Sequence, residues 1–141
     1  MPNGKTHDII TIITAPFVVE ISYLITDDIK QTAIFFILFL FSSLMFNGDL
    51  DTNSRPYNRW WIFKMIWIPY QLLFTHRSIF THGFIIGTLI RLLYLGIVPL
   101  IVLIFKDNLQ MVASINLNMF LLIFLGLETG SAIHTISDKI F

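Results

Sequence analysis

The sequence predicts an all-α fold: an integral membrane bundle of about four transmembrane helices plus an interfacial helix, with both termini in the cytoplasm. Of its 141 residues, 55% are hydrophobic and only 13% are charged, whereas soluble domains are about a quarter charged. A disordered chain is excluded too, because such chains are poor in large apolar side chains. The length suits one domain, so residues 1–141 are expected to form a single membrane-embedded unit.

Four apolar stretches are the candidate spans: Ile9–Thr26, Thr32–Phe46, Phe84–Phe105 and Leu117–Ile136. A transmembrane helix needs about 20 apolar residues, within a range of roughly 17–25. The third stretch meets this length, the first and fourth meet it with one acid inside each, and the second is short but tolerable where the bilayer thins. The first stretch has the alternative of being a signal peptide. Pro16 and Glu20 interrupt it and no A-x-A cleavage pattern follows, which favours a span.

The middle connection, Asn47–Gly83, contains all three tryptophans of the chain. Trp side chains concentrate at the level of the lipid headgroups. Residues Arg59–Phe74 are therefore predicted to form an interfacial or re-entrant helix, broken near Pro69. A fifth short span is the alternative, but it would place Lys64 inside the membrane at a high cost.

The basic residues fall unevenly on the two sides of this topology. The connections Asp27–Gln31 and Lys106–Gln110 carry one lysine each. The other side collects Lys5, Arg55, Arg59, Lys64, Arg77 and Lys139. Because Lys and Arg are enriched in cytoplasmic loops, both termini and the middle connection are predicted to be cytoplasmic.

Two charged residues lie inside predicted spans. Arg91 is nine residues beyond His82, and Glu128 is six before His134. At a rise of about 1.5 Å per residue, both lie about 9–14 Å below the cytoplasmic face. A charge at that depth requires a partner, so an Arg91–Glu128 ion pair is predicted to lock the third and fourth spans together.

All four histidines and three of the seven aspartates lie at the cytoplasmic ends of predicted spans: His7, His76, His82, His134, Asp49, Asp51 and Asp138. His134 and Asp138 are four residues apart and share a helix face, and Asp49 and Asp51 point the same way if their segment is extended. Each residue alone is more often a solvated or capping group, but clustered His and Asp mark metal or catalytic sites. These ligand types suit zinc, and also manganese or iron.

Composition excludes other sites. The nine basic and nine acidic residues include no basic tract for a nucleic-acid backbone. The chain has no cysteine, which removes thiolate zinc sites and thiol nucleophiles. Arg55, Arg59 and Arg77 are suited to bind an anionic group. Arg77, inside the segment His76–His82, is the better candidate for phosphate.

Four motifs carry a resemblance to a known family. They are Met1-Pro-Asn-Gly-Lys-Thr-His-Asp8; Asp49-Leu-Asp51 with Ser54-Arg-Pro-Tyr57; His76-Arg-Ser-Ile-Phe-Thr-His82 with Gly83; and Gly126-Leu-Glu-Thr-Gly130 with His134-x-x-x-Asp138. In this order the chain resembles an uncharacterised, DUF2227-like family of small bacterial metal-binding membrane proteins that is well represented in cyanobacteria. That family is similar to inner-membrane metal-dependent hydrolases, and more remotely to the zinc-dependent phospholipase C and P1 nuclease superfamily.

The resemblance implies a metal centre and a hydrolytic activity. It makes the metal ligands His7, Asp49, His76, His82, His134 and Asp138, with Asp51 a ligand or a partner of one. Asp51 and Arg77 are predicted to be the catalytic residues. The expected substrate is a phosphoester or phospholipid at the cytoplasmic face of the bacterial inner membrane, where membrane lipid is the expected partner. This chain has fewer histidines and shorter ligand spacings than the phospholipase pattern, so one or two ions are expected.

Three functions remain open from the sequence. The first is a membrane-bound metal-dependent hydrolase, and the second is a non-catalytic metal-binding membrane protein with a structural or sensory role. A transporter ranks last, because transporter sites lie near the bilayer midplane and these ligands lie at one interface. A hydrolase keeps an open coordination position, whereas a structural site is closed.

Overall fold

The computed structural model describes residues 4–105 and 116–140, and within them it contains helices and no β-strand. In chain order, the elements are α1 (Gly4–Thr26), α2 (Ile29–Met45), a first 3-10 helix (Gly48–Asp51), α3 (Arg55–Arg59), a second 3-10 helix (Trp61–Trp67), α4 (Ile68–Leu73), α5 (Ile79–His82), α6 (Ile86–Phe105) and α7 (Leu117–Ile140). The all-α prediction is confirmed for the described residues. Each of the four predicted apolar stretches lies largely within one of the long helices.

Three helical segments are long and apolar enough to cross a membrane. They are α1, α7 and the segment Ile29–Asp51, in which the first 3-10 helix continues α2. Helix α6 has 20 residues, and its apolar part Ile86–Ile97 is a shorter apolar helix. The third predicted span, Phe84–Phe105, therefore stays a prediction. The connection Lys106–Gln110, on which part of the orientation depends, lies outside the described residues.

Helices α2 and α7 approach each other closely through small residues. A Cβ atom on Gly130 would lie 2.5 Å from the carbonyl oxygen of Phe39 and 2.7 Å from the backbone nitrogen of Ser43, so only glycine fits there. The hydroxyl of Ser42 donates a hydrogen bond of 2.5 Å to the carbonyl of Leu127. Small residues at helix contacts allow such close packing and hydrogen bonding. This contact places the last turns of α7 beside the end of α2.

The predicted single interfacial helix over Arg59–Phe74 is wrong in its internal structure. The segment consists of the second 3-10 helix followed directly by α4, and Trp61 at its start has a φ of 49°. Pro69 lies in the first turn of α4 and begins that helix instead of breaking one. The first turn tolerates proline because its backbone N–H groups have no intrahelical partner there.

The three tryptophans do not share one environment, contrary to the prediction that all of them lie at headgroup level. Trp67 is fully buried in a core with Phe46, Leu50 and Tyr70, whereas Trp61 is 76% exposed. Ile62, Phe63 and Met65 are exposed with Trp61. One side of the segment therefore packs into the buried core, and the other side presents an exposed apolar surface.

The predicted Arg91–Glu128 ion pair is not formed. Arg91 is fully buried and donates hydrogen bonds to the carbonyl of Thr81 at 2.8 Å and to the hydroxyl of Ser131 at 2.7 Å. Glu128 accepts a hydrogen bond of 2.9 Å from the backbone N–H of Ile85. The two charged side chains still connect α6 and the residues just before it to α7. Each does so by hydrogen bonds to uncharged groups and not by an ion pair with the other.

Candidate metal centre

The seven predicted metal ligands all lie at one end of the helical bundle. The first turn of α1 provides His7, the first 3-10 helix provides Asp49 and Asp51, the segment that ends in α5 provides His76 and His82, and the last turns of α7 provide His134 and Asp138. Arg77 lies beside His76 on the same segment. Helices that run alternately up and down bring these distant parts of the sequence together.

Four of these residues form one compact group of donors, which we call the four-donor group: Asp49, His82, His134 and Asp138. One ligand atom from each lies within 4.8 Å of the others. The Nε2 atom of His134 is 3.3 Å from Asp49 Oδ2 and 3.6 Å from Asp138 Oδ2. The Nε2 atom of His82 is 3.4 Å from Asp49 Oδ1 and 3.8 Å from Asp138 Oδ2. The four side chains therefore converge on one point.

Three side-chain atoms of the four-donor group are buried without a hydrogen-bond partner among the described residues: Nδ1 and Nε2 of His134 and Oδ2 of Asp138. Of these, Nε2 of His134 and Oδ2 of Asp138 lie 3.6 Å apart and make no hydrogen bond with each other. Leaving such groups unpaired costs free energy. A divalent ion would satisfy both, and two imidazoles with two carboxylates are a donor set that zinc, manganese and iron accept. The residues therefore fit a metal.

The local sequence explains how Asp49 and His82 approach each other. Asn47 caps the first 3-10 helix by accepting the backbone N–H of Asp49 at 3.2 Å. Gly48 follows, where a Cβ atom would lie 2.8 Å from the His82 ring, so the missing side chain makes room for the imidazole. Neither Asn47 nor Gly48 was predicted to shape the site in this way.

Asp49 and Asp51 do not point the same way, as an extended segment would require. They lie in a 3-10 helix, where about three residues make a turn and residues two apart face different directions. Asp49 faces His82 and His134, whereas Asp51 faces His76 at 2.6 Å. The two carboxylates consequently serve two adjacent clusters.

Asp51 is a buried carboxylate that holds three groups in place. Its Oδ1 contacts Nδ1 of His76, its Oδ2 accepts the backbone N–H of Arg77 at 3.1 Å, and the same Oδ2 is 3.5 Å from Nδ1 of His82. The His82 Nδ1 is also 3.0 Å from the hydroxyl of Thr81. A carboxylate on the far nitrogen of a metal-binding histidine orients the ring. Asp51, His76 and His82 also form a second group of possible donors within 4.8 Å.

His7 and Arg77 reach the four-donor group through Asp138. The Nε2 atom of His7 is 3.3 Å from Asp138 Oδ1, and its ring centroid is 4.1 Å from that of His134. A guanidinium nitrogen of Arg77 is 3.8 Å from the same oxygen. Arg77 has a φ of 62°, a conformation that costs a non-glycine residue free energy and that its backbone hydrogen bond to Asp51 holds.

Two clefts open on either side of the metal centre. The Arg77 cleft has a volume of about 380 Å³ and is lined by Arg77, Ser78, Ile79, His82, Asp138 and Lys139 among others. The Asp8 cleft is smaller, about 130 Å³, and its lining includes His7, Asp8, Asp49, Arg55 and Arg59. The four-donor group is thus reached from both sides.

Two of the arginines predicted to bind an anion are already engaged. Asp8 Oδ2 lies 2.8 Å from Arg55 and 2.7 Å from Arg59. Asp8 was not among the predicted site residues, although it directly follows His7 in the sequence. Of the three candidate arginines, Arg77 has the longest contact to a carboxylate, 3.8 Å to Asp138.

Tyr70 is fully buried in the aromatic core. Burial raises the pKa of Tyr70 to about 12, and the nearby Asp51 carboxylate raises it further while the cation of Arg91 opposes the shift. Its hydroxyl is buried without a hydrogen-bond partner among the described residues. Tyr70 therefore stays neutral at physiological pH and packs as part of the core.

A family model described as "Uncharacterized metal-binding protein (DUF2227)" matches residues 2–141. The chain belongs to this family. An uncharacterised protein of Aquifex aeolicus (strain VF5) is 38% identical over 58 residues, which cover 40% of this chain and 40% of that protein. No solved structure matches the chain. Membership of the DUF2227 metal-binding family agrees with the presence of two groups of His and Asp donors in the described residues.

Proposed function

We propose that this DUF2227 protein is a membrane-bound, metal-dependent hydrolase that cleaves phosphoesters. The observation that carries the proposal is the position of the half-buried four-donor group, with its unpartnered His134 and Asp138 atoms, directly beside the open Arg77 cleft. Such a combination of metal donors, an adjacent cation and an accessible cavity is typical of active sites. The resemblance of the sequence motifs to those of inner-membrane hydrolases, and more remotely of the phospholipase C and P1 nuclease superfamily, implies the same reaction class.

The proposed location is the bacterial inner membrane, with the metal centre at its cytoplasmic face. Three helical segments of sufficient length and apolarity support insertion. The excess of Lys and Arg at the end of the bundle that carries the metal centre supports the orientation. A substrate would then reach the site from the cytoplasm or from the inner leaflet.

The four-donor group would hold the ion: zinc if one of the four side chains did not ligate it, so that a position stayed open, or manganese or iron with all four. A divalent ion there would supply Lewis acidity to a phosphoryl oxygen and to an attacking water molecule at neutral pH. Asp51 orients His82 through its Nδ1 atom. Arg77 projects from the rim of the cleft, where its guanidinium can bind a phosphoryl oxygen through a charge-assisted hydrogen bond.

His76 and Asp51 are suited to move a proton in this reaction. His76 is 36% exposed, and its Nδ1 is held at 2.6 Å by the fully buried carboxylate of Asp51. That contact orients the ring and leaves Nε2 as the nitrogen available to a reacting group. An imidazole held by a carboxylate is the common arrangement for general acid–base work near neutral pH.

A non-catalytic metal-binding protein is the second candidate. Four protein donors complete the tetrahedron that a structural zinc ion adopts, and the four-donor group contains that number. A six-coordinate manganese or iron ion would instead leave positions for water and substrate. The number of exchangeable positions therefore separates the two functions.

The deciding experiment combines metal analysis of the purified full-length protein with hydrolysis of bis(p-nitrophenyl) phosphate in detergent micelles. Wild type is compared with His82→Ala and Asp49→Ala, and with Glu20→Ala as a control that removes an exposed carboxylate from α1. The hydrolase predicts activity that is lost in the first two variants and kept in the control. Bound metal with no activity above background would overturn the hydrolase in favour of the non-catalytic protein.

A further inference from the structure

The Arg77 cleft has a second cation, Lys139, which no motif pointed to. Lys139 is exposed on the last turn of α7, and its amino group lies 5.1 Å from the centre of the Phe84 ring. Arg77 faces the same cleft from the segment before α5. The two cations therefore meet at one cavity although they are 62 positions apart in the sequence.

Both cations are available to an anionic ligand. Arg77 approaches Asp138 only at 3.8 Å, a length at which no strong hydrogen bond forms. Arg55 and Arg59, by contrast, both contact Asp8 at 2.8 Å or less. Two cations beside a hydroxyl group are suited to bind phosphate. Ser78 provides such a hydroxyl in the lining of the same cleft.

The entrance of the cleft is apolar. Ile79, which lines it, is 61% exposed, and its neighbours Phe80, Phe84 and Ile85 are 50%, 45% and 54% exposed. We call these four residues the apolar rim. The rim leads into α6, whose sequence from Ile86 to Ile97 is largely apolar apart from Thr88 and Arg91. A cluster of large exposed apolar side chains marks an interaction surface, and a small, water-soluble phosphoester would leave it uncovered.

We propose that the Arg77 cleft binds the phosphate head group of an anionic membrane lipid, with its acyl chain across the apolar rim. Arg77 and Lys139 hold the phosphate beside the four-donor group. The rim explains why the ligand is a lipid and not a soluble phosphate. The assignment rests on the proposed function, since it names the substrate class of that site.

Binding is measured by calorimetric titration of full-length, zinc-loaded protein in neutral detergent micelles. Dioctanoyl phosphatidic acid is the lipid probe, and glycerol 3-phosphate presents the same phosphate monoester without acyl chains. Wild type should bind the lipid at least about tenfold more tightly. The double variant R77Q/K139Q should lose about 100-fold in lipid affinity, because each charge-assisted hydrogen bond contributes roughly tenfold.

Two further variants make the test specific. R55Q/K64Q removes the same two charges from the same end of the bundle but outside the Arg77 cleft, and its lipid affinity should stay within about twofold of wild type. Phe80→Ser, which removes an apolar rim side chain that is 50% exposed, should weaken lipid binding and leave glycerol 3-phosphate binding unchanged. Equal losses in the two double variants, or equal affinity of wild type for the two probes, would overturn the assignment. Failure of the proposed hydrolase appears separately, as a protein that binds the lipid but does not hydrolyse bis(p-nitrophenyl) phosphate.

Discussion

The geometry of the metal centre predicts a graded loss of metal affinity across three variants. His134→Ala removes one of the four donors that converge within 4.8 Å. Zinc sites with four protein ligands bind with about 10–16 kcal/mol, so one donor contributes about 2.5–4 kcal/mol. Because about 1.4 kcal/mol is a factor of ten, His134→Ala should weaken zinc binding by about 10²–10³-fold.

Substitution of the residues next to the four-donor group should weaken zinc binding less. Asp51→Asn keeps the size of the side chain and removes the charge that faces Nδ1 of His82 at 3.5 Å. Loss of such an orienting carboxylate typically weakens metal binding about 10–100-fold. His76 reaches the four-donor group only through Asp51 and the edge of the His82 ring. His76→Ala should therefore cost less than about tenfold, the lower end of the same range.

The assay is competition for zinc between the full-length protein in detergent micelles and a chelating dye of known affinity. Thermal unfolding followed by circular dichroism shows that each variant is folded, and Glu20→Ala is the carboxylate control. The reasoning would be refuted by equal losses for His76→Ala and His134→Ala. Two bound ions per chain, one of which disappears in His76→Ala, would show instead that Asp51, His76 and His82 hold an ion of their own.

Three further predictions concern the stability of the fold. Gly130→Ala should lower the free energy of unfolding by about 1–3 kcal/mol, the usual cost of overpacking, because the new Cβ would lie 2.5 Å from a carbonyl of α2. Arg91→Met should cost about 1–3 kcal/mol for each buried partner left unpaired, measured by denaturant titration. The backbone N–H groups of Gln31 and Lys30 hold the pKa of Asp28 below its usual value. The charged form of Asp28 therefore contributes to the free energy of unfolding above about pH 4, and this contribution is lost as the pH falls through the lowered pKa. The Asp28→Asn variant lacks the contribution, so acid unfolding of the two proteins should show the difference.

The chain offers a matched control for two of these changes. Gly96→Ala adds the same methyl group at a helical position where nothing lies within 4 Å, so stability should stay equal or rise by up to about 1 kcal/mol. Lys30→Met removes a cation from an exposed position and should change stability by less than about 0.5 kcal/mol. Losses in these controls as large as in Gly130→Ala and Arg91→Met would contradict the packing argument.

The long helices and the place of the metal centre could be predicted because the sequence encodes them locally. A run of apolar residues specifies a helix of membrane length wherever it lies. Once four such runs alternate in direction, the ends that carry His7, His82 and His134 must meet at one end of the bundle. The i and i+4 spacing of His134 and Asp138 likewise depends on a single helix, and both side chains reach the four-donor group.

The errors arose where tertiary contacts decide. Asp49 and Asp51 suit an extended segment or a 3-10 turn equally well by spacing, and the Asn47 cap together with the close approach of His82 selects the turn. Trp67 has the same side chain as Trp61, but only Trp67 faces the aromatic core. Arg91 could be expected to need a partner, but Thr81 and Ser131 become partners only through the packing of three helices.

The donors of the metal centre come from segments that only the fold brings together, so metal binding and stability are coupled whichever function is correct. An ion that binds the folded chain alone stabilises it by about 2.7 kcal/mol at one hundred times its dissociation constant. Zinc should therefore raise the unfolding temperature of a hydrolase and of a non-catalytic protein alike.

The Arg77 cleft separates these two functions, because a structural ion has no use for two available cations at an open cavity. R77Q/K139Q leaves every member of the four-donor group in place, so zinc should stabilise this variant as it does the wild type. Its hydrolytic rate should fall at least about tenfold, the value of one lost charge-assisted contact. If zinc no longer stabilises R77Q/K139Q, these two cations support the fold of the metal centre and do not bind a substrate beside it.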